Sequence, residues 1–211
     1  MIRVHGIGIP YRPRGIAGPS FMTQSIFLIG YRGTGKSTVG PVLAARLGWA
    51  FVDADVHTEA VAGKSIKEIF AAEGEAGFRD REAATLAALA GRTCHVIATG
   101  GGVILRESSR VLLRQSGFVV WLAAEPEAVW ERMQTDATTA ARRPNLTAGG
   151  GLDEVRALLA AREPLYRETA NLEIRTDGLS PEAVADAILT AWNGGSTCPP
   201  SSGACSSSSP A

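Results

Sequence analysis

Residues Gly30–Thr38 read GYRGTGKST, between the apolar run SIFLI at 25–29 and a helix-like segment from 36 onward. Glycines at 30, 33 and 35 allow the backbone to turn its N–H groups inward, and a helix start directly behind them adds positive partial charge. In this Gly-x4-Gly-Lys-Ser pattern Lys36 is placed to reach the β- and γ-phosphates of a nucleotide. The Ser37 hydroxyl is placed to ligate Mg²⁺, and Gly33, Thr34, Gly35 and Thr38 complete the anion nest. Strand, glycine loop, lysine and helix in that order make ATP or GTP binding the expectation. Lysine occurs elsewhere only at 64 and 67, so Lys36 stands out from a background of arginine. Motors, switches and small-molecule kinases share this loop, and alone it does not name the reaction.

Working outward, short apolar runs at 25–29, 50–54, 94–98, 117–122 and 171–175 alternate with helical patterns near 36–47, 77–90, 107–115, 125–134, 152–168 and 180–192. That alternation predicts an α/β fold, a parallel sheet with helices on both faces. FVVWLA and HVIAT are rich in β-branched and aromatic residues, which favours strand for both. Ser180-Pro181 supplies an N-cap and first-turn proline, and Glu125-Pro126 starts another helix. Residues 1–24 show neither helical nor alternating periodicity and lack the apolar core of a secretory signal, with Met22 a candidate start. The Ser/Gly/Pro-rich stretch at 194–211 is expected to be disordered, leaving one domain at 25–193.

The 211 residues balance 21 basic against 21 acidic side chains, which argues against nucleic acid or anionic membrane as partner. No apolar run approaches the roughly 20 residues of a membrane span. Cys94, Cys198 and Cys205 match no zinc spacing and are too few for a disulfide framework, so a reducing cytoplasm is expected.

The acceptor side begins at FVDADVHTE, where Asp53 and Asp55 close a strand. Positions i and i+2 of an extended strand lean the same way, so one carboxylate can order a Mg²⁺ shell while the other faces an acceptor hydroxyl. The plainer reading is an Asp that caps the following helix. In GEAGFRDRE, Phe78 and Glu82 share a helix face with Arg79 beside them. Arg79 can grip a carboxylate with Glu82 behind it, or these residues form a surface ion pair beside a core phenylalanine. Gly100, Gly101 and Gly102 follow a strand directly, which implies either a sharp turn or backbone held close to a ligand.

Together GYRGTGKST, DAD, GEAGFRDRE, ATGGGV, RRPNL and REPLYRETA resemble the shikimate kinase family in order and approximate spacing, over roughly 25–192. The resemblance implies a three-layer P-loop kinase with a five-stranded parallel sheet, a substrate-binding helical insert and a mobile lid at about 135–151. It implies ATP and shikimate as substrates, Mg²⁺ as cofactor, and a monomer that transfers the γ-phosphoryl group to the 3-hydroxyl of shikimate. Asp53 then becomes the water-mediated Mg²⁺ partner and Asp55 the group that binds the reacting hydroxyl. Arg79 and Arg162 hold the acceptor carboxylate and ring, Gly101 and Gly102 offer backbone contacts, Glu82 orients Arg79, and Phe78 walls the apolar side. Arg143 becomes the lid arginine that reaches the transferring phosphate.

Two departures stand out. The family's lid commonly reads RPLL, where this chain has Arg143-Pro144-Asn145-Leu146 followed by TAGGG. Arg132 and Arg142 both fit the family's adenine-side arginine. His57, His95, Cys94, Trp121 and Trp130 read as packing or surface residues. The rival readings are a P-loop kinase for gluconate or a nucleoside monophosphate, and an ATP-binding homologue without turnover.

Overall fold

The structure, a computed structural model, describes residues 2–3, 24–135 and 151–192. Its elements run β1 (Ile2–Arg3), β2 (Ser25–Ile29), α1 (Lys36–Leu47), β3 (Ala50–Asp53), α2 (Ala54–Ala62), α3 (Ile66–Ala90) and β4 (His95–Ala98). A 3-10 turn (Val103–Leu105), α4 (Glu107–Ser116), β5 (Gly117–Ala123), α5 (Pro126–Thr135), α6 (Leu152–Thr169), β6 (Leu172–Arg175) and α7 (Pro181–Ala191) follow. Five strands are parallel in the order β6-β5-β2-β4-β3, as the alternation of strand and helix implied.

β2 lies in the middle of those five, and every residue of SIFLI is buried. Successive side chains of a strand point to opposite faces, so Ile26 and Leu28 enter one core and Phe27 and Ile29 the other. β5 repeats the division, with Val120 and Leu122 on the first face and Val119 and Trp121 on the second. α1 and α7 close the first face through Val39, Leu43, Val184 and Ile188. α3, α4 and α6 close the second through Leu86, Leu89, Leu113 and Tyr166. Each fully buried aliphatic side chain contributes about 1.5–3 kcal/mol. Strands buried on both faces therefore read as continuous apolar runs.

Ile2–Arg3, placed by composition in an irregular extension, instead pairs antiparallel with Ile174 and Glu173 of β6. Two residues cannot display a period, so this edge was invisible in the sequence. The rest of that extension and the residues after Trp192 lie outside the described residues.

The spacing of apolar residues also missed α2 and the first half of α3. α3 is two helices joined at Gly74 (φ 68°, ψ −173°). Its first half closes a small separate core of Ile66, Ile69 and Phe78, with Phe70 stacked on Phe78 at 4.6 Å between centroids. Ser65 starts it through a reciprocal capping box with Glu68. This insert places the second half of α3 alongside the carboxyl ends of the strands.

Gly117 begins β5 with extended φ (176°), a conformation open to any residue, but a Cβ there would lie 2.2 Å from the Ser25 carbonyl oxygen of β2. Gly117→Ala is expected to force the central strand pair apart and lower stability by about 1–3 kcal/mol. Urea unfolding of the two proteins measures this, and an unchanged midpoint would contradict it.

Candidate active site

The loop from Gly30 to Gly35 joins the buried end of β2 to α1. Gly30 (φ 146°), Gly33 (φ 76°) and Gly35 (φ 93°) all take left-handed or related conformations, which glycine adopts without a side-chain clash. A Cβ at Gly30 would also stand 2.4 Å from the Leu122 carbonyl oxygen of β5. No side chain caps α1, whose N-cap is Gly35, so no side-chain oxygen competes with an anion at that helix start. Lys36 is only 8% exposed, and its Nζ donates to the carbonyl oxygens of Gly30 (2.8 Å) and Tyr31 (2.7 Å). Thr34 Oγ1 also donates to Tyr31, at 2.8 Å.

Ser37 Oγ donates to Asp53 Oδ2 at 2.7 Å, which joins the start of α1 to the end of β3. The other oxygen of Asp53 accepts from the N–H groups of Asp55 (3.0 Å) and Val56 (3.3 Å), so Asp53 is also the N-cap of α2. This corrects the strand-parity argument for the aspartate pair. β3 ends at Asp53, and Asp55, half buried, occupies the first turn of α2. One carboxylate thus caps α2 with one oxygen and holds Ser37 with the other. Among the described residues no group of three or more His, Cys, Asp or Glu forms a cluster able to hold a metal. Ser37 and Asp53 are hard oxygen donors beside the anion loop, which suits a Mg²⁺ carried in with phosphate.

Arg79 lies in the second half of α3 and is buried (8% exposed). It donates to Glu82 Oε2 at 2.7 Å and to Glu75 Oε1 at 3.1 Å, and its guanidinium carbon sits 5.2 Å from the centroid of the Phe78 ring. Burial works against its charge, yet the carboxylates of Glu82 and Glu75 outweigh that and hold the guanidinium above its ordinary range. Its Nε finds no hydrogen-bond partner among the described residues.

Gly101 and Gly102 explain why a glycine run follows β4. Neither has positive φ. A Cβ on Gly102 would lie 2.0 Å from Arg79 Nη1, and one on Gly101 would lie 3.4 Å from the backbone nitrogen of Arg32. Gly102 thus serves close approach to Arg79, while Gly101 rests in ordinary contact with the phosphate loop. The Gly101 carbonyl accepts from Tyr166 Oη (2.6 Å) and, at the limit of hydrogen bonding, from Arg162 Nη1 (3.5 Å). Arg162, like Tyr166, belongs to the buried side of α6. Lys36, Asp53, Asp55, Arg79, Gly101, Gly102 and Arg162 thus lie on loops and helix ends around the carboxyl ends of β2, β3 and β4, where ligands gather in open α/β sheets.

Arg143 and nearly all of the expected lid lie outside the described residues, as does Arg142. Arg132, the other adenine-side candidate, reaches the phosphate loop: it donates to the Gly33 carbonyl (3.3 Å), to Thr176 Oγ1 (3.1 Å) and to the Thr176 carbonyl (3.2 Å). No local motif marks it, because its partners are 99 and 44 residues away. His57 is half buried, and His95 is occupied by the Thr93 carbonyl at 2.6 Å. Trp121 stacks on Tyr166 at 5.7 Å, and Trp130 packs beside Val129 and Val155. Cys94, read as packed within a strand, instead precedes β4 with φ 57° and is disulfide-bonded. A cleft of about 370 Å³ between α6 and the ends of β5 and β6 touches the loop through Tyr31 and Thr34. It contains neither aspartate nor Arg79, so it neighbours the acceptor side without being it.

Burial holds the Tyr166 phenol well above its ordinary range. A group protonated in the folded state and ionised in the unfolded chain draws stability down as pH rises, beginning near the ordinary tyrosine value of about 10. Tyr166→Phe should therefore lose stability less steeply above that pH than the unsubstituted protein, while costing about 1 kcal/mol at neutral pH for the lost bond to Gly101. Parallel urea titrations across neutral and alkaline pH measure both effects; identical alkaline slopes would contradict the first.

The family model described as shikimate kinase matches residues 32–193. A shikimate kinase of Rhodopirellula baltica is 49% identical over 168 residues, covering 80% of this chain and 90% of the relative. One of Symbiobacterium thermophilum is 47% identical over 166 residues, covering 79% and 94%. The shikimate kinase of Acinetobacter baumannii, solved in complex with shikimate, superposes with a TM-score of 0.75 at 39% identity, covering 80% of this chain and 92% of that one. Family match, relatives and fold agree with the phosphate loop and the buried arginines above: the chain belongs to the shikimate kinase family.

Proposed function

We propose that this protein transfers the γ-phosphoryl group of ATP to the 3-hydroxyl of shikimate, giving shikimate 3-phosphate and ADP. The observation that carries this reading is the contact at Gly101. There the loop built for phosphate and the loop that backs the acceptor arginine approach to within one backbone layer. A buried guanidinium braced by Glu82 answers a carboxylate with directed hydrogen bonds. It stands against Gly102, one residue from the point where the turn after β4 meets the phosphate loop.

In this reading the N–H groups from Gly33 to Thr38 hold the phosphates of ATP, and Lys36 leaves the carbonyls of Gly30 and Tyr31 for the β- and γ-oxygens. Ser37 would hold Mg²⁺, with Asp53 reaching it through water. When bound, Mg²⁺ neutralises phosphate charge and orients the leaving group. Asp55 accepts the acceptor hydroxyl and receives its proton late, since a loose transition state makes little demand on a base. Arg79 and Arg162 hold the carboxylate and ring, with backbone contacts from Gly101 and Gly102 and Phe78 as apolar wall. Arg143 supplies charge from the lid, and Arg132 stands on the adenine side. Rate enhancement comes from positioning and electrostatics, with no covalent enzyme intermediate.

ADP release from purified protein with Mg²⁺ and ATP, in the presence of shikimate, gluconate or nucleoside monophosphates in turn, tests this directly. Stimulation by shikimate alone is expected; turnover with another acceptor instead would discard the acceptor assignment and keep the phosphate loop. Lys36→Met should lower kcat by about 10²–10³, the scale of losing one transition-state charge donor. Gly102→Ala should displace Arg79 and raise the shikimate KM by about tenfold, equivalent to about 1.4 kcal/mol, with little change for ATP. An effect of Gly102→Ala on ATP alone would contradict the placement of Arg79.

A further inference from the structure

The side chain of Tyr31 takes no part in the phosphate cradle as described above, yet it is bulky and only 1% exposed in a glycine-rich loop. Its backbone carbonyl accepts from Lys36 and Thr34. Its ring packs in a cluster with Ala124, Val129 and Val155, away from the two main cores. The guanidinium carbon of Arg162 lies over that ring, 5.5 Å from the centroid, and that of Arg32 lies 5.6 Å from it. The Arg162 bond to the Gly101 carbonyl is long at 3.5 Å, and its side chain also donates to the Tyr166 hydroxyl, so the aromatic face acts beside these bonds as a further constraint on where this buried guanidinium points. The Tyr31 hydroxyl, by contrast, is buried without a hydrogen-bond partner among the described residues. A buried unsatisfied hydroxyl gains the fold nothing, so the ring, not the phenol group, accounts for an aromatic side chain here.

We infer that Tyr31 is a positioning residue: from within the phosphate loop its ring face fixes the guanidinium of Arg162 against the Gly101 loop, so the element that holds ATP also aims an acceptor arginine. This rests on the reading that Arg162 contacts shikimate. Lys36 binds the carbonyl of Tyr31, and Gly101 rests at contact distance from the backbone of Tyr31 and Arg32. Ring, loop and arginine are therefore joined by direct contacts.

Steady-state kinetics on four variants test the inference. Tyr31→Phe keeps the ring and should leave every constant within about twofold, with an unchanged or raised melting temperature. Tyr31→Leu keeps an apolar filling but removes the ring face; it should raise the shikimate KM by about tenfold while the ATP KM and kcat stay within about twofold. Tyr31→Met, closer in length, serves if the leucine variant does not fold, with the same expectation. In an Arg162→Ala background, Tyr31→Leu should add nothing further to the shikimate KM. Equal damage to the ATP and shikimate constants, an unchanged shikimate KM, or fully additive effects in the double variant would each overturn the inference. If Arg162→Ala alone leaves the shikimate KM unchanged, the role given to Arg162 is wrong, and the positioning role of Tyr31 falls with it.

Discussion

The site depends on how closely the turn after β2 approaches the chain on either side of it. Gly30 faces the Leu122 carbonyl of β5 at a distance that excludes a Cβ, and Gly101 faces the backbone of Gly30, Tyr31 and Arg32 with contact distances only. A phosphate loop with a side chain at position 30 would be pushed off the end of the sheet. With glycine there, the loop, the end of β5 and the turn after β4 stand in contact as one rim. Strand β2, buried throughout between β4 and β5, supplies the anchoring that keeps the rim in place.

On that rim the fold has buried charge. Lys36, Arg79, Glu82 and Arg162 are all 7–8% exposed. Desolvation of such groups is costly, and a buried ion pair contributes little net stability over apolar residues of the same shape. Removing one partner is different, costing about 3–5 kcal/mol, because the other is stranded. The pairing of Arg79 with Glu82 is therefore better understood as a constraint on orientation than as a source of stability. Its effect is that the guanidinium stands in one place before any anion arrives, so binding need not order it. Lys36 is held similarly by two carbonyl oxygens, which a phosphate oxygen must replace.

Much of this was legible in the sequence, for identifiable reasons. Strands buried on both faces leave continuous apolar runs, so β2, β4 and β5 could be read to within a residue or two. The phosphate loop was legible because its mechanism demands glycine, lysine and serine at fixed offsets. Gly101 and Gly102 were legible as a place of close approach, while what they approach was not, since Arg79 comes from a distant helix. The first half of α3 escaped because its apolar residues face a small satellite core and not the sheet, and α2 because it buries only Ala54 and Thr58 and carries no apolar stripe. The sign that was present, Ser65 followed by Glu68 at capping-box spacing, marks a helix start without any apolar stripe. Arg132 is a candidate only by family likeness, and its contacts were not legible, since a side chain bonded to backbone far along the chain leaves no local pattern.

The aspartate pair shows why a spacing read from the sequence does not guarantee the geometry drawn from it. Asp53 and Asp55 were singled out from their spacing and from an assumed strand, yet the strand stops at the first of them. Asp53 spends one oxygen on the N–H groups that open α2 and the other on Ser37, at the opening of α1. Two helix starts are thereby tied to one carboxylate. Capping fixes the first turn of α2, and with it the position of Asp55 relative to the phosphate loop. That position is set by the cap, not by the alternation of a strand. Asp53 thus links the starts of α1 and α2 structurally, besides being an oxygen donor able to help hold a metal. A substitution there would move Asp55 even where it leaves the metal in place.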